Sequence, residues 1–94
     1  MATFIVEYTY DPSQTERMDE IRPRHRAHLS ALYDAGVIRL VGSWKEPAPG
    51  ALIIVEADSS QAALEALAND PFLLSGVISK RVAHPYTIVF GELA

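Results

Sequence analysis

Hydrophobic and polar positions alternate along the first residues of the chain. In the stretch ATFIVEYTY, residues 2–10, one side of the alternation is formed by Phe4, Val6, Tyr8 and Tyr10. A period of two, with β-branched and aromatic residues, predicts a strand with a buried face. The following DPSQ, residues 11–14, predicts the break that ends this strand.

The pattern changes to a helical period in IRPRHRAHLSALYDAG, residues 21–36. Leu29, Leu32 and Tyr33 follow His25 by four, seven and eight positions, which places His25 near the centre of an apolar stripe. His28 falls at the edge of that stripe. A polar imidazole that faces a core needs a hydrogen-bond partner or a function.

Proline and glycine set the expected ends of this helix. Inside a helix, Pro23 would lose a backbone hydrogen bond and clash with the preceding turn, so we expect it in the first turn. The helix should then begin at about Glu20 to Arg22, and Gly36 is a natural residue to end it.

The remaining pattern predicts a strand, a loop, a strand, a helix and a final strand. Asp58, with Gln61 three residues later, has the spacing of a helix cap. The DPF triplet, residues 70–72, ends that second helix, and a turn or short helix follows. The segments are a strand at Val37–Trp44, a loop at 45–50, a strand at 51–57, a helix at 59–69, and a long last strand at 77–90 interrupted near Pro85.

The order βαββαβ predicts an α+β, ferredoxin-like fold. Such a fold has an antiparallel four-stranded sheet with both helices on one face. The strand ALIIVEA, residues 51–57, is apolar on both of its faces. We therefore expect something to cover the second face of the sheet, and a homodimer in which two sheets pack together is the simplest cover.

Composition strengthens the expectation of a homodimer. The chain has 94 residues, no cysteine and a hydrophobic fraction of 49%. A domain this small has a thin core, and disulfides cannot reinforce it, so association is the remaining means of stabilisation.

The net charge of −4 argues against nucleic acid as a partner, because phosphate binding requires a basic surface. No apolar run reaches the length of a membrane span, and the first residues lack the pattern of a signal peptide. We expect a cytoplasmic protein with no membrane association.

Taken together, several stretches resemble the YCII family. They are RPRHRAHLSALYDAG, then VIRLVGSW, then GALIIVEADSSQAALEALANDPF, and finally GV before a closing strand. The resemblance runs from about Phe4 to Phe90, so residues 1–94 are expected to form one YCII-like domain. It implies a dimeric α/β-barrel assembly and a cleft centred on a histidine and an aspartate. By motif position these are His25 and Asp70.

The family also suggests a chemistry. Most members have no known reaction. The exception is a dehydrochlorinase that removes HCl from a chlorinated hydroxyhydroquinone. The short loop Lys45–Gly50 and His28 depart from enterobacterial-type members, so no substrate is carried over from those. The resemblance implies a cofactor-free acid–base pair in which Asp70 orients His25.

Each of the two residues has a structural alternative. His25 could be a core histidine bonded to backbone carbonyls, and Asp70 could simply cap the turn that follows it. A metal held by His25, His28 and Asp70 is conceivable, but histidines three residues apart are a weak signal, and we expect no metal and no cofactor.

Five further residues are candidates for substrate binding. Ser43 could bond a substrate hydroxyl and Trp44 could stack on an aromatic ring, although Trp44 fits a dimer interface slightly better. Tyr8 could face the cleft, or pack in the core or an interface. Arg22 could hold an anionic group, or lie on the surface. His28 is expected to have a supporting role.

Three functions are compatible with these residues. The first is a lyase or isomerase that acts on a small aromatic or enolic molecule, with HCl elimination as the leading reaction. The second is a ligand-binding dimer without turnover. The third is an oxygen-consuming enzyme similar to cofactor-free monooxygenases, which share this fold with muconolactone isomerases.

Overall fold

The computed structural model describes residues 1–93, which form a four-stranded antiparallel sheet in the order β2-β3-β1-β4. The elements are β1 (Ala2–Tyr10), a 3₁₀ turn (Pro12–Gln14), α1 (Thr15–Asp34), β2 (Ile38–Trp44), β3 (Gly50–Ala57), α2 (Ser60–Ala66), α3 (Pro71–Leu74) and β4 (Ile78–Pro85). This confirms the expected α+β, ferredoxin-like fold. Ala94, the last residue of the expected domain, lies outside the described residues.

The predicted alternation of β1 is confirmed by its burial. Phe4, Val6, Tyr8 and Tyr10 are all buried on the face that the helices cover. Across the strand pair, the partners of Phe4, Val6 and Tyr8 are Val55, Ile53 and Ala51 of β3, which are buried on the same face. α1 packs against β2 and α3, while α2 packs across β1, β3 and β4.

Helix α1 begins at Thr15, so the prediction that it starts near Glu20 to Arg22 is wrong. Pro23 lies inside the helix, where it cannot donate to the backbone of the preceding turn. Met18 and Ile21 are buried on the N-terminal side of the proline. Their burial favours helix on both sides of Pro23 in spite of the lost hydrogen bond.

The buried stripe of α1 is also shifted from the predicted one. It consists of Met18, Ile21, His25 and Leu29, whereas Tyr33 is 57% exposed. The stripe starts earlier because the helix starts earlier, and this leaves His25 in the middle of the buried residues.

Two smaller boundaries differ as well. Ser59 caps α2 by accepting a hydrogen bond from the Ala62 amide at 3.0 Å, so the prediction of Asp58 as the cap is wrong. Gln61 instead donates to Glu65. α2 ends at Ala66 rather than at residue 69.

The last strand is shorter than predicted, because β4 ends at Pro85 and residues 86–93 form no regular element. Proline lacks the amide hydrogen that would continue the ladder. The backbone amide of Tyr86 makes one further bond, to the Thr3 carbonyl.

The second sheet face carries a mixed surface. Leu40 is exposed, Ile5 and Leu52 are half-buried, and Glu7 lies among them on β1. The second copy expected to cover this face remains a prediction. Within the described part of the chain, no helix is both long and apolar enough to span a bilayer.

Candidate active site

His25 and Asp70 are brought into direct contact. His25 lies in the middle of α1, Asp70 stands immediately before α3, and His25 Nδ1 is 2.6 Å from Asp70 Oδ1. His25 is 6% exposed and Asp70 is fully buried. A buried charged side chain is stable only when it is paired and hydrogen-bonded, and each of these residues supplies a partner for the other.

Asp70 is both a helix cap and the partner of the histidine, so the two alternatives for this residue coexist. Oδ1 accepts from the Phe72 amide at 2.9 Å in addition to His25, and Oδ2 accepts from the Tyr8 hydroxyl at 3.1 Å. Three hydrogen-bond donors therefore converge on one buried carboxyl group, which satisfies both of its oxygens.

These bonds determine where the histidine carries its proton. An ionised carboxylate only accepts hydrogen bonds, so Nδ1 of His25 must donate to Asp70. In the neutral imidazole Nε2 is then the unprotonated nitrogen with a free lone pair. Within residues 1–93, Nε2 has no hydrogen-bond partner and is not sealed from solvent.

His25 borders an open cleft of about 1000 Å³ between α1, the end of β2 and the loop before β3. This volume is sufficient for a small organic ligand. Its walls include Tyr10, Arg22, Arg26, Ser43, Trp44 and Phe72. The free nitrogen of His25 therefore belongs to a residue that borders a ligand-sized space.

Phe72 holds the plane of the imidazole. The two rings are stacked, with centroids 3.8 Å apart and planes 9° apart. Because its backbone amide also donates a hydrogen bond to Asp70, Phe72 contacts both members of the pair. Sequence reasoning did not single it out, although it is the third residue of the DPF triplet, and an aromatic residue two positions after the aspartate was the available signal.

Tyr8 lies behind Asp70 rather than in the cleft. It is 1% exposed, is not among the residues that line the cleft, and donates to Asp70. Burial, followed by the charge of Asp70, raises the pKa of Tyr8 far above its ordinary value, so its hydroxyl stays protonated and remains a donor. Tyr8 therefore packs in the core, which was one of the positions expected for it.

Tyr10 borders the cleft two residues further along the same strand. It is 7% exposed and packs edge-on against Phe72, with centroids 5.6 Å apart. Burial raises its pKa to about 12, the charge of Asp70 adds to that effect, and Arg22 and Arg26 oppose it. Alternation predicted that Tyr10 would share a face with Tyr8, but sequence reasoning did not place it in the site.

Ser43 and Trp44 form part of the opposite wall, at the end of β2 where they were expected. The ring of Trp44 lies across Gly50, its partner on β3. A Cβ at position 50 would be 2.8 Å from both the Trp44 ring and the Tyr8 carbonyl oxygen. Glycine at this position therefore lets the indole pack down onto the sheet.

The two remaining candidates for substrate binding differ in position, because Arg22 lines the cleft and His28 does not. Arg22 lines the cleft, with its guanidinium carbon 6.0 Å from the Phe72 centroid, and forms an ion pair with Asp19. His28 is not among the lining residues, and its Nε2 is buried without a hydrogen-bond partner in the described chain. Over residues 1–93, no group of three or more side chains is placed to hold a metal ion.

Fold and cleft together define a ferredoxin-like α+β protein with a buried histidine–aspartate pair at the edge of a ligand-sized space. The chain belongs to the YCII family, because the model of the YCII-related domain matches residues 1–86. No curated protein matches the chain.

A solved structure with the same fold is 5-chloro-2-hydroxyhydroquinone dehydrochlorinase (TftG) from Burkholderia phenoliruptrix AC1100, in complex with 2,5-dihydroxybenzoquinone. The TM-score is 0.75 and the identity 19%, over 90% of this chain and 93% of that chain. At this identity the likeness establishes the shared fold.

Proposed function

We propose that this protein is a cofactor-free enzyme that transfers protons to and from a small aromatic or enolic substrate. His25 is the general base and acid, and Asp70 orients it. The observation that carries the proposal is the hydrogen bond from Nδ1 to Asp70, which leaves Nε2 unpartnered on a residue that lines the cleft.

The proposed roles follow from the bonds of each residue. Asp70 fixes the tautomer in which Nε2 is basic, and it stabilises the imidazolium that forms when Nε2 takes a proton. Phe72 restrains the ring, so Nε2 is held in one orientation. General acid–base help of this kind typically contributes about 10²–10⁴-fold, which suits a substrate that already ionises readily.

We propose elimination of HCl from a chlorinated hydroxyhydroquinone as the reaction. One hydroxyl proton is moved to the carbon that bears chlorine, which gives a keto tautomer. A second hydroxyl then gives its proton to Nε2, the electron pair left on that oxygen forms a carbonyl, and the displaced ring electrons expel chloride. The product is a hydroxybenzoquinone, and no oxidant is required because chloride leaves with the bonding pair.

The substrate class is supported by the likeness to the dehydrochlorinase and by the walls of the cleft. Trp44 and Phe72 are suited to contact with a flat ring, and Ser43 can bond a ring hydroxyl. In this proposal Ser43, Trp44 and Arg22 bind the substrate, Tyr8 supports Asp70, and His28 stays outside the cleft.

The test is chloride release from 5-chloro-2-hydroxyhydroquinone under anaerobic conditions. Wild type, His25→Asn and His84→Asn are compared side by side. His84 is an exposed residue of β4 that does not line the cleft, so the same substitution there is a matched control. We expect release by wild type and His84→Asn, and a loss of about 10³-fold in His25→Asn.

Other outcomes separate the competing functions. Absence of chloride release by the wild-type protein would refute the dehydrochlorinase reaction. Binding of the chlorinated compound without turnover would identify a ligand-binding module. Consumption of oxygen when air is admitted would instead indicate a monooxygenase-like enzyme.

A further inference from the structure

The cleft has a charge opposite to that of the whole protein. The chain carries a net charge of −4. The side chains that line the cleft nevertheless include three cations and one carboxylate, namely Arg22, Arg26, Lys45 and Asp19. A cleft in which charges of one sign predominate raises the local concentration of ligands with the opposite charge.

The cations are not equivalent. Arg22 is paired with Asp19, so part of its charge is already neutralised within α1. Arg26 lies one helical turn after Arg22, and therefore on the same side of α1. Among residues 1–93, Arg26 has no carboxylate within ion-pair distance, which leaves its charge available to a ligand.

An unpartnered neutral donor lines the same cleft as these cations. No group of residues 1–93 bonds the Tyr10 hydroxyl, and its oxygen is not sealed from solvent. Burial, followed by the charge of Asp70, raises the pKa of this phenol, and the charges of Arg22 and Arg26 oppose the rise. The resulting pKa is about 12. At neutral pH the hydroxyl therefore keeps its proton and can donate it in a hydrogen bond.

His25, Tyr10 and Arg22 all lie around the ring of Phe72. His25 stacks on its ring at 3.8 Å, Tyr10 meets it edge-on at 5.6 Å, and the Arg22 guanidinium carbon lies 6.0 Å from its centroid. A base, a neutral donor and a cation thus surround one aromatic ring at the edge of the cleft.

We infer that the ligand of this cleft is an oxyanion whose charged oxygen lies against the Tyr10 hydroxyl and the Arg26 guanidinium group. The inference rests on the proposed function, because it takes the cleft as the substrate site. What it adds is that the bound substrate is negatively charged. Phenolates, enolates and carboxylates of about the size of one ring belong to this class. The oxygen held by Tyr10 and Arg26 is distinct from the hydroxyl that gives its proton to His25.

Binding measured without turnover tests the inference. The anionic probe is 2,5-dihydroxybenzoquinone, which is ionised at neutral pH, and the neutral probe is its dimethyl ether, which has the same ring. Affinities are measured by calorimetry. Trp44 is the sole tryptophan of the chain and borders the cleft, so its fluorescence is an independent measure of binding.

We expect the anion to bind about tenfold more tightly than the ether at low salt, and its advantage to shrink as added salt screens the cations. Arg26→Gln should weaken binding of the anion about fivefold and leave that of the ether unchanged. Tyr10→Phe should also weaken binding of the anion.

Two matched substitutions serve as controls. Arg24→Gln changes the same residue type on the same helix, but Arg24 does not line the cleft. Tyr86→Phe removes a hydroxyl that is also outside the cleft. Neither should change the affinity of either probe.

The inference is overturned if the anion does not bind, if salt leaves its affinity unchanged, or if Arg24→Gln and Arg26→Gln weaken it equally. The test is separate from that of the proposed function. His25→Asn should lower chloride release about 10³-fold yet keep the preference for the anion. A wild-type protein that releases chloride but binds the anion no more tightly than the ether would overturn the inference alone.

Discussion

Two aspartates of this chain begin short helical turns with the same local hydrogen-bond pattern. Asp11 precedes Pro12, Asp70 precedes Pro71, and each side chain accepts a hydrogen bond from the backbone amide two residues later, at 3.0 and 2.9 Å respectively. Proline at the first helical position and aspartate before it are the expected residues of a helix start.

Their surroundings differ completely. Asp11 lies at the surface, and its other partner is the hydroxyl of Ser13, two residues away. Asp70 is fully buried, and its other partners are Tyr8 and His25, which are 62 and 45 residues distant in the chain. The local motif makes a cap in both places, and burial among distant donors makes one of the two caps also a hydrogen-bond partner of His25.

The largest effect on stability is expected for Asp70→Asn, and Asp11→Asn is the matched comparison. Asparagine also caps helices well, so the substitution preserves the local motif and removes only the charge. At position 70 an amide has one acceptor oxygen for three donors, and we expect a loss of about 3 kcal/mol in the free energy of unfolding.

Urea unfolding of the two variants measures this difference, and Asp11→Asn should change stability much less. Chloride release should fall strongly in Asp70→Asn only. Equal losses of stability in the two variants would show that burial adds nothing to the role of the cap.

A second prediction concerns alkaline pH, because Tyr10 is buried near the charge of Asp70. The pKa of Tyr10 is raised from 10.0 to about 12 in the folded protein. The unfolded chain therefore loses this proton first, and the stability that Tyr10 contributes is complete below pH 10 and declines as the pH rises toward 12.

We expect Tyr10→Phe to reduce that alkaline loss by about 2 kcal/mol at pH 12. Unfolding by urea, followed between pH 9 and 12, measures it. Tyr86→Phe is the control, since that phenol is 46% exposed. The same pH dependence in wild type and Tyr10→Phe would contradict the prediction.

A third prediction removes the Tyr8 donor to Asp70 and leaves the ring in place. Tyr8→Phe should cost about 1.5 kcal/mol of stability, because a bond to a charged group is lost inside the core. It should lower kcat for chloride release with little change in KM, since Tyr8 does not line the cleft. A change in KM alone would indicate that Tyr8 touches the substrate after all.

The smallest effect is expected at Asp11. The hydroxyl and the amide of Ser13 hold the pKa of Asp11 below its ordinary value. Ser13→Ala keeps the amide and removes the hydroxyl, so the pKa of Asp11 should move part of the way back up. Carboxyl carbon NMR chemical shifts, followed through acid pH, measure this, and an unchanged midpoint would show that the hydroxyl does not contribute.

Much of the fold was predictable because it depends on local patterns. The period of two predicted the buried face of β1, and the helical period predicted that His25 would lie among buried residues. The order of elements predicted the sheet. The start of α1 was predicted wrongly from Pro23, because the rule that excludes proline from helix interiors is outweighed by the burial of Met18 and Ile21.

The site was predictable only in part. The resemblance to the YCII family directed attention to His25 and Asp70, and the end of β2 to Ser43 and Trp44. Tyr10 and Phe72 were not singled out, because aromatic residues on an apolar face are normally core residues. Their positions around His25 depend on how α1, α3 and β1 pack together.

By itself, the sequence determined what is local: the alternation along β1, the helical period around His25, and the position of two aspartates directly before prolines. It contains no difference in spacing that distinguishes Asp11 from Asp70. Only the tertiary structure decided that one of them would be buried between Tyr8 and His25. The reason is physical: hydrogen bonds within a few residues depend on backbone geometry, whereas burial and long-range partners depend on the packing of the whole chain.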